Sequence, residues 1–436
     1  MARKTFRGGV HPPEFKDLAC SRPVEVLPTP ARVIIPMVQH MGAPCEAIVK
    51  KGDAVAMGQV IGDTDAFVSA PIHASVSGIV EAVGECTLAD GRKVPAVIIE
   101  SDGEDRLSED IKPSGDLAEL TGEDIRNLVR KAGIVGMGGA AFPAHVKYSP
   151  PPDGDVDTII LNGCECEPFL TCDHRVMIEQ AEEIVFGLEV IMKACEAERG
   201  VIGVEDNTPD AAEALRQAIG DRPYEVVSLQ TKYPEGAEKQ LISAITDREV
   251  PSGGLPLHIG VVVNNVSTAV AIARAFKTGI PLIERIVTVS GDVVVQPRNL
   301  RVRLGTPIEA LLEACGGFTE APARLISGGP MMGLAIYDLD TPVTKGTSGV
   351  IALSEGVAPV LNEEPCIRCG RCVEACPSFL MPLYLAAYPD ESAMEFRPLD
   401  CIECGACSYI CPANIHLLQR IRLAKAEAAA RQRGES

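Results

Sequence analysis

The chain has 436 residues, of which 46% are hydrophobic and 23% are charged, a composition that predicts a globular protein of three or four domains. A formal charge of −20 and a pI near 4.9 argue against nucleic acid and anionic lipid surfaces as partners. The apolar segment 259–273 contains Asn264, Asn265 and Ser267, and no stretch reaches the ~18 apolar residues of a membrane span, so we expect any membrane association to be peripheral.

The first hundred residues contain short β-branched runs separated by glycine and proline, which predicts an all-β module over residues 1–105. The runs are AIVKKGDAVAMGQVIG, APIHASVSGIVEAV and VPAVIIE. Their arrangement resembles the barrel-sandwich hybrid of lipoyl domains. Asp63-Thr64-Asp65 stands where a lipoyl domain carries its modifiable lysine. We therefore expect a structural or docking module and not a cofactor carrier.

A polar link over residues 101–119 is followed by alternating strands and helices, which predicts a largely parallel sheet covered by helices over residues 118–280. The predicted strands are TIILNG, GVIGVED, EVVSLQT and HIGVVVNNV. The predicted helices cover about 173–195, 208–220 and 267–277. Ligands bind such sheets at the carboxyl ends of the strands, so the loops at these ends are the places to look for a site.

Three loops of this domain are candidates: Gly136–Pro143, Asn162–Pro168 and Asn264–Thr268. The first is a glycine-rich turn whose backbone amides can approach a phosphate or a flat ring closely. It is not the Rossmann fingerprint, which follows a strand directly. The other two end predicted strands, where asparagine caps a helix or binds a ligand. Taken singly, each loop is explained equally well by turn or capping chemistry.

Residues 281–355 follow the order strand, strand, helix, strand, which fits a small β-grasp unit. We expect this unit to orient the domain that follows it. Its Gly328-Gly329-Pro330 segment is more typical of a plain turn than of a ligand contact.

Eight of the sixteen cysteines lie in two runs with the spacing C-x2-C-x2-C-x3-C-P, which is the spacing of bacterial two-cluster ferredoxins. The pattern predicts a domain over residues 360–425 that holds two [4Fe-4S] clusters. In such modules the last cysteine of each run ligates the cluster of the other run. One predicted ligand set is therefore Cys366, Cys369, Cys372 and Cys411, and the other is Cys401, Cys404, Cys407 and Cys376.

Zinc knuckles and disulfides are the alternatives for these runs. Zinc does not need the third and fourth cysteines at this spacing. The N-terminal sequence lacks an apolar signal region, so we expect a reducing compartment in which thiols stay free. For Cys164, Cys166 and Cys172, near the second loop, a redox or metal role competes with burial as small apolar side chains.

Together the loops resemble, in order and spacing, the flavin and NADH site of the NADH-oxidising subunit of respiratory complex I. The matching segments are GMGGAAF at 136–142, NGCECEP at 162–168, YPEGAE at 233–238 and NNVST at 264–268. With the two-cluster tail and the lipoyl-like N-terminus, the whole chain is similar to the C subunit of the Rnf complex, a membrane-bound oxidoreductase between NADH and ferredoxin. Its most distinctive segments are GGVHPPEFK, ECEPFLTCDHR and YPEGAEKQL.

The resemblance implies a site for FMN and NAD(H). Lys147 would neutralise the flavin phosphate, Phe142 would stack on the adenine, and Glu238 would lie near the nicotinamide as the catalytic residue. The other residues implied in cofactor binding are Gly136, Gly138, Gly139, Asn162, Glu165, Asn264, Asn265 and Thr268. Three positions depart from the complex I pattern, and their polar contacts are not expected here: Met137, Cys164 and Ala237.

The resemblance also implies a peripheral subunit on the cytoplasmic face of the cell membrane. NADH gives up two electrons as a hydride and a cluster accepts one, so FMN between them would convert one kind of transfer into the other. The implied partners are NADH, the other subunits of the Rnf membrane complex and, through them, ferredoxin. A soluble NADH-dependent cobalamin reductase of related build and a zinc-bound assembly scaffold are the alternatives. The long sequence before the glycine-rich loop favours the Rnf subunit over the former.

Overall fold

The computed structural model describes residues 4–149, 154–387 and 395–433. The predicted domains 1–105, 118–280 and 360–425 each include a short segment outside these residues. Those segments are 1–3, 150–153 and 388–394. In the described part of the chain, no helix combines the length and the apolar character needed to cross a membrane.

The N-terminal domain is a barrel-sandwich hybrid, as predicted. The first eight strands of the chain are β1 (Glu25–Val26), β2 (Arg32–Pro36), β3 (Glu46–Ala47), β4 (Ala54–Val55), β5 (Val60–Asp63), β6 (Ile72–His73), β7 (Gly78–Thr87) and β8 (Lys93–Ser101). Strands β2, β8, β7 and β4 form one antiparallel sheet, and β3, β5 and β6 form a second. Between them lies a core of fully buried side chains that includes Ile35, Ile61, Ile72 and Ile99.

The second domain is a parallel α/β unit. Its elements are α1 (Gly122–Lys131), α2 (Ala144–Lys147), β9 (Thr158–Gly163), α3 (Cys172–Glu179), α4 (Ala181–Cys195), β10 (Arg199–Glu205), α5 (Pro209–Ile219), β11 (Tyr224–Leu229), α6 (Glu238–Thr246), β12 (Val261–Asn265) and α7 (Val266–Thr278). All four strands run parallel in the order β11-β10-β9-β12, as strand–helix alternation predicts. Successive residues Ile159, Ile160 and Leu161 are fully buried, because helices cover both faces of the sheet.

The single helix predicted over residues 173–195 is wrong, because the structure has two helices there. Helix α3 ends at Glu179 and α4 begins at Ala181. Gln180 between them has φ −133° and ψ 34°, which lies outside the helical region. Both helices contact α5 and α7, and the larger share of the packing against α7 comes from α4.

The third domain begins with the predicted order of strand, strand, helix, strand and continues with two strands that were not predicted. Its elements are β13 (Glu284–Ser290), β14 (Arg298–Arg303), α8 (Ile308–Ala314), β15 (Arg324–Ser327), β16 (Leu334–Ala335) and β17 (Gly349–Leu353). The mixed sheet has the order β1-β14-β13-β17-β15-β16. Thr288 Oγ1 donates to Asn299 Oδ1 at 2.8 Å, and Asn299 Nδ2 donates to Thr171 Oγ1 at 2.9 Å. This buried chain joins the third domain to the α/β domain.

The C-terminal domain consists of short helices and the two cysteine runs. Its helices are α9 (Arg371–Glu374), α10 (Pro382–Ala387), α11 (Ala406–Tyr409) and α12 (Leu417–Gln432). The runs have matching local structure, because α9 follows Gly370 and α11 follows Gly405, with φ of 79° and 76°. Glycine adopts this left-handed conformation without the strain of a side chain.

Outside the longer elements, short 3-10 helices occur along the whole described chain, at Lys16–Leu18, Leu117–Glu119, Pro256–Ile259 and Pro398–Asp400.

Candidate functional site

The second and third candidate loops leave the sheet at the carboxyl ends of β9 and β12, and the glycine-rich loop packs against the start of α7 beside them. The two strands are neighbours, with Asn162 opposite Asn265 in their parallel register. Strands β10 and β11 follow on one side of β9, whereas β12 lies on its other side, so the strand order reverses between β9 and β12. In open parallel sheets, such a reversal creates a crevice in which ligands bind. The topology therefore brings the three loops to one crevice.

The glycine-rich loop presents bare backbone at this edge of the sheet. Met137 is buried, and its N–H donates to Thr268 Oγ1 at 3.0 Å, which anchors the loop to α7. A Cβ at Gly138 would lie 2.7 Å from Asn265 Nδ2, so close packing requires glycine there. A Cβ at Gly139 would meet nothing within 4 Å. Both glycines are exposed, so the amides of the loop tip are accessible to a ligand.

The two ends of the glycine-rich loop are joined to each other. The N–H of Gly136 donates to the carbonyl oxygen of Phe142 at 2.9 Å. A Cβ at Gly136 would make only ordinary contacts, at 3.8 Å and beyond, so space does not demand glycine at this position. Phe142 is partly exposed. Its ring therefore retains surface for contact with a ligand.

Asn264 carries an unused hydrogen-bond donor. Its Oδ1 accepts a hydrogen bond from the Tyr148 hydroxyl at 2.8 Å. Its Nδ2 is buried and has no partner among the described residues. An unpaired buried donor costs about 1–3 kcal/mol, so an acceptor atom on a bound ligand would relieve this cost. Tyr148, which orients the amide, is not among the residues predicted from the sequence.

Asn265 caps α7 and contacts an unpredicted aspartate. Its Oδ1 accepts from the Ser267 N–H at 2.8 Å, and its Nδ2 donates to Asp173 Oδ2 at 2.6 Å. Asp173 also accepts from Ser267 Oγ at 2.7 Å. Burial, together with the nearby Glu165 charge, raises the pKa of Asp173. The sequence signal for Asp173 is its place in the distinctive segment ECEPFLTCDHR.

Lys147 and Glu238 form an ion pair with an Nζ–Oε1 distance of 3.0 Å. Lys147 Nζ also donates to the carbonyl oxygen of Val263 in β12, at 3.1 Å. The side chains are 28% and 39% exposed, so both remain accessible to a ligand. The resemblance assigns Lys147 to the flavin phosphate and Glu238 to the nicotinamide, and the structure brings the two side chains into contact with each other.

Asn162 and Glu165 are both held by protein contacts. Asn162 Nδ2 donates to the carbonyl oxygen of Gly236 at 2.8 Å, and its Oδ1 accepts from the Cys164 N–H at 3.0 Å. The Glu165 carboxylate accepts from the amides of residues 173 and 174 at 2.9 and 3.2 Å. These are free amides of the first turn of α3, where a negative charge is favourable. Glu165 therefore caps α3, whatever further contact it makes with a ligand.

The eight cysteines of the two runs line two separate cavities of the C-terminal domain. One cavity is lined by Cys376, Cys401, Cys404 and Cys407, and the other by Cys366, Cys369, Cys372 and Cys411. Each cavity combines three cysteines of one run with the fourth cysteine of the other. This is the grouping that crossed ligation of two clusters requires.

The chemistry of these thiols fits iron-sulfur clusters. Burial raises the pKa of both Cys404 and Cys407 to about 12. At neutral pH such thiols ionise only against a strongly positive partner such as iron. Within the described residues, no group of three or more His, Cys, Asp or Glu side chains is arranged to hold one metal ion. A four-iron cluster has a different requirement, because its four thiolates bind at separate corners of the cube.

The cavities differ in their surroundings, and we call the one that contains Cys404 the inner cavity and the one that contains Cys366 the outer cavity. The Tyr233 hydroxyl donates to the Cys404 carbonyl oxygen at 2.7 Å, and Gln240 Nε2 donates to the carbonyl oxygen of Pro377 at 3.1 Å. These contacts join the inner cavity to the α/β domain. In the outer cavity, Cys366 and Cys369 are exposed. The outer cavity therefore opens toward solvent.

Cys164 and Cys166 lie next to the segment that follows Tyr233. A Cβ at Gly236 would be 2.3 Å from the Cys164 carbonyl oxygen and 3.4 Å from Cys166 Sγ. Burial, with an added contribution from the Glu205 charge, raises the pKa of both thiols well above the ordinary range. Both are therefore neutral at pH 7. Cys172 is buried too, and burial likewise raises its pKa. Burial as small apolar side chains and a redox or metal role stay the two alternatives for these three cysteines.

Four segments of the chain match protein-family models, in the order of the predicted domains. Residues 4–104 match the RnfC barrel sandwich hybrid domain, and residues 129–274 match the Nuo51 FMN-binding domain. Residues 286–335 match the SLBB domain, and residues 365–415 match the 4Fe-4S dicluster domain. The predicted fold class is confirmed by these matches.

Several proteins are similar to this chain over its full length. It is 51% identical to the C subunit of the Na(+)-translocating ferredoxin:NAD(+) oxidoreductase complex of Acetobacterium woodii, over 98% of both chains. It is 49% identical to the C subunit of the proton-translocating ferredoxin:NAD(+) oxidoreductase complex of Clostridium ljungdahlii, over 97% of this chain and 94% of that one. It is 44% identical to the C subunit of the ion-translocating oxidoreductase complex of Rhodobacter capsulatus, over 98% of this chain and 84% of that one.

Among solved structures, the NAD+-reducing [NiFe]-hydrogenase in the air-oxidized state is similar over 74% of this chain and 65% of that chain, at 18% identity and a TM-score of 0.48. The relationship to the full-length relatives is much closer. Since identities of 44–51% extend over nearly the whole chain, the resemblance predicted from the loops is confirmed. The chain belongs to the family of C subunits of Rnf-type, ion-translocating ferredoxin:NAD(+) oxidoreductase complexes.

Proposed function

We propose that this chain is the NADH-oxidising, or NAD+-reducing, peripheral subunit of a membrane-bound ion-translocating ferredoxin:NAD+ oxidoreductase. The main observation behind this proposal is that the segment 233–238 contacts both the inner cavity and the ligand crevice. Tyr233 contacts the inner cavity, Gly236 contacts Asn162, and Glu238 pairs with Lys147. One short segment thus reaches from a cysteine-lined cavity to the ligand crevice. Family membership and the FMN-binding and 4Fe-4S matches support the same function.

The crevice residues fit FMN. Its proposed contacts are Gly136, Gly138, Gly139, Asn162, Glu165, Asn264, Asn265 and Thr268. Bound FMN supplies the conversion between a two-electron hydride and single electrons, which the clusters carry one at a time. The exposed backbone at Gly139 leaves room for a flat ring, and the buried Nδ2 of Asn264 offers a hydrogen bond. Lys147 supplies a positive charge for a phosphate group.

We assign the nucleotide to the open side of the same crevice. Phe142 is partly exposed and offers an apolar face to the adenine. Glu238 is proposed as the catalytic residue that orients the nicotinamide. Its carboxylate already pairs with Lys147 at 3.0 Å, so this pair holds both side chains at the crevice before the nucleotide arrives. Such preorganisation reduces the entropic cost of binding.

The eight cysteines of the two runs are proposed as the ligands of two [4Fe-4S] clusters, with crossed ligation. The inner cavity is lined largely by apolar side chains such as Leu380, Leu385 and Ile421, which exclude water from the metal site. The outer cavity, with its exposed Cys366 and Cys369, is proposed as the side at which electrons are exchanged with a partner.

The relatives are named as subunits of ion-translocating complexes, so we propose that this chain also works within such a membrane complex. Its partners would be the other subunits of that complex and, through them, ferredoxin. The described residues contain no membrane-spanning helix, which is consistent with peripheral attachment. We assign it to the cytoplasmic face of the cell membrane, because free thiols and cluster ligands persist in a reducing compartment.

The decisive experiment is an anaerobic titration of the purified chain with NADH, in which flavin absorbance and the EPR signals of the clusters are followed separately. We expect non-covalent FMN, about eight irons per chain and bleaching by NADH. Two zinc ions without flavin would contradict the proposal, as would a flavin that NADH does not reduce. Co-purification with integral membrane subunits separates this function from that of a soluble cobalamin reductase.

A further inference from the structure

We propose that residues 4–18, here called the N-terminal arm, position the inner cavity against the α/β domain, with Gly8 and Gly9 as the positioning residues. The inference rests on the proposed function, in which electrons pass between the crevice and the inner cavity. The arm includes the distinctive segment GGVHPPEFK, which neither the crevice nor the cysteine cavities use. Its contacts give this segment a role.

The arm packs on the loop that carries one thiol of the inner cavity. The Gly9 N–H donates to the carbonyl oxygen of Ala375 at 2.9 Å. A Cβ at Gly8 would lie 2.9 Å from the carbonyl oxygen of Cys376, so no side chain fits between the arm and that cysteine. The Arg7 guanidinium lies 5.9 Å from the ring centre of Phe379, three residues beyond Cys376. The arm thus contacts this cysteine loop on both sides of the thiol.

The same few residues bind the α/β domain. The Val10 N–H donates to the carbonyl oxygen of Tyr233 at 2.8 Å, and the Tyr233 N–H donates to the Val10 carbonyl at 2.9 Å. A Cβ at Gly9 would lie 2.7 Å from both the Tyr233 carbonyl oxygen and Lys232 Cε. Gly9 also has φ of +83°, which strains any other L residue. Glycine is required because the backbone is enclosed between two domains.

The far end of the arm is anchored beside the second loop of the crevice. Lys16 Nζ donates to the carbonyl oxygens of Glu165 and Leu170 at 2.6 and 2.7 Å. The rings of Phe15 and Phe169 stack at a centroid distance of 4.6 Å. Nearer the inner cavity, the three distinctive segments GGVHPPEFK, ECEPFLTCDHR and YPEGAEKQL meet in one apolar cluster, through Val10, Cys166 and Tyr233 packed with Cys404.

Among the described residues, few other polar contacts hold the inner cavity to the α/β domain. Besides the bonds of Tyr233 and Gln240 already described, Ser252 Oγ donates to Asp400 Oδ1 at 2.6 Å, and that contact is exposed. Displacement of the arm would leave the cysteine loop around Cys376 without its backbone anchor at Ala375. The separation between crevice and cavity would then no longer be held.

The test compares Gly9→Ala with Gly84→Ala in the iron-loaded, FMN-bound protein. Gly84 lies in β7, where a Cβ would meet nothing within 4 Å, so this variant controls for the substitution itself. Stopped-flow mixing with NADH measures flavin reduction and cluster reduction as separate phases. Hydrogen–deuterium exchange of residues 230–241 and 372–380 measures the positioning directly, without reference to activity.

In Gly9→Ala, we expect NADH to reduce the flavin at the same rate as in the unsubstituted protein. The reduction of the clusters that follows should be slowed or lost. Hydrogen–deuterium exchange should be faster in residues 230–241 and 372–380. Dithionite should still reduce the clusters, because it does not use the crevice. Gly84→Ala should match the parent in every measurement. Parental cluster reduction and parental exchange in Gly9→Ala would overturn the role of the arm and leave the proposed function intact.

If NADH cannot reduce the FMN of the unsubstituted protein, the proposed function itself is overturned. If Gly9→Ala fails to retain FMN and iron, Gly8→Ala carries the test, because the closest contacts of its new Cβ are confined to the Ala375–Cys376 backbone. Parental cluster reduction in Gly8→Ala, with unchanged exchange over 372–380, would then overturn the proposal.

Discussion

The Tyr233 hydroxyl donates a 2.7 Å hydrogen bond to the carbonyl oxygen of Cys404, and Tyr233 is only 1% exposed. The bond joins the beginning of the segment that reaches the crevice to the loop that carries the inner cavity. It is a contact between residues 171 positions apart in the chain. It therefore links the two proposed cofactor sites through a direct protein contact.

Tyr233→Phe keeps the ring in place and removes this donor. We expect a loss of about 1 kcal/mol in the free energy of unfolding, because a buried carbonyl loses its partner. The midpoint of chemical unfolding measures the loss. Tyr224→Phe, at a partly exposed position in β11, should leave the midpoint unchanged. Equal midpoints for the parent and both variants would show that the bond does not contribute to stability.

Gly139→Ala tests the crevice without disturbing the fold. Its new methyl meets no protein atom, so the stability of the flavin-free protein should not change. Binding of FMN or NADH should weaken by about 1–3 kcal/mol, a factor of roughly 5 to 150 in dissociation constant, because the methyl occupies ligand space. Fluorescence titration measures the affinity. Gly138→Ala should instead destabilise the protein, because its methyl overlaps Asn265. Unchanged affinity for both ligands in Gly139→Ala would place the site elsewhere.

Glu238→Gln should slow the reduction of flavin by NADH and leave the content of FMN and iron unchanged. A hydrogen bond from a charged group contributes about 1.5–3 kcal/mol, so we expect a slowing of roughly 10- to 150-fold. Stopped-flow absorbance measures the rate. Glu249→Gln removes an exposed carboxylate just beyond α6 and is the matched control. If both variants reduce flavin at the parental rate, Glu238 is not catalytic.

Cys369→Ser and Cys404→Ser each remove one ligand, from the outer and the inner cavity respectively. Each should lose one cluster and retain about four of eight irons, with FMN still bound. Only Cys369→Ser should keep a cluster that NADH reduces, because its inner cavity is complete. Iron analysis and EPR distinguish the two proteins. Full iron content in either variant would contradict the ligand assignment.

The contribution of Glu205 and Glu235 to stability should fall as pH rises from about 5 to 8. Burial raises the pKa of Glu205 to about 8 and that of Glu235 to about 7, so the native protein binds more protons than the unfolded chain in this range. This contribution is complete below the unfolded pKa near 4.5 and is lost as pH passes the folded value. Lys345, with its pKa lowered to about 7 by burial, acts in the opposite direction above pH 7.

The comparison of Glu205→Gln with the parent isolates the glutamate contribution, because both proteins contain Lys345. The unfolding midpoint of the variant should depend less steeply on pH between 5 and 8. Glu225→Gln replaces an exposed carboxylate on the neighbouring strand and should retain the parental slope. The same slope in all three proteins would show that Glu205 is not buried as a neutral acid.

Local features of the sequence determine much of this protein. The spacing of the cysteine runs predicts two groups of four thiols, and the structure places those groups around two cavities. The alternation of apolar strands and helices predicts the parallel sheet, because side-chain periodicity is a property of short segments. The resemblance of four segments to a known site predicts which strand ends form the crevice.

Only the tertiary structure shows the Lys147–Glu238 pair, the cap that Glu165 provides for α3 and the contact between Asp173 and Asn265. It also shows the N-terminal arm lying between two domains that begin more than a hundred residues later. These features join residues distant in sequence, and periodicity and spacing carry no information about such pairs. The amino-acid order thus determines the local elements and the candidate ligands. Packing between domains determines which of these residues come into contact. Such packing depends on how two surfaces exclude water and pair each other's backbone polar groups, and a local sequence pattern does not contain this information.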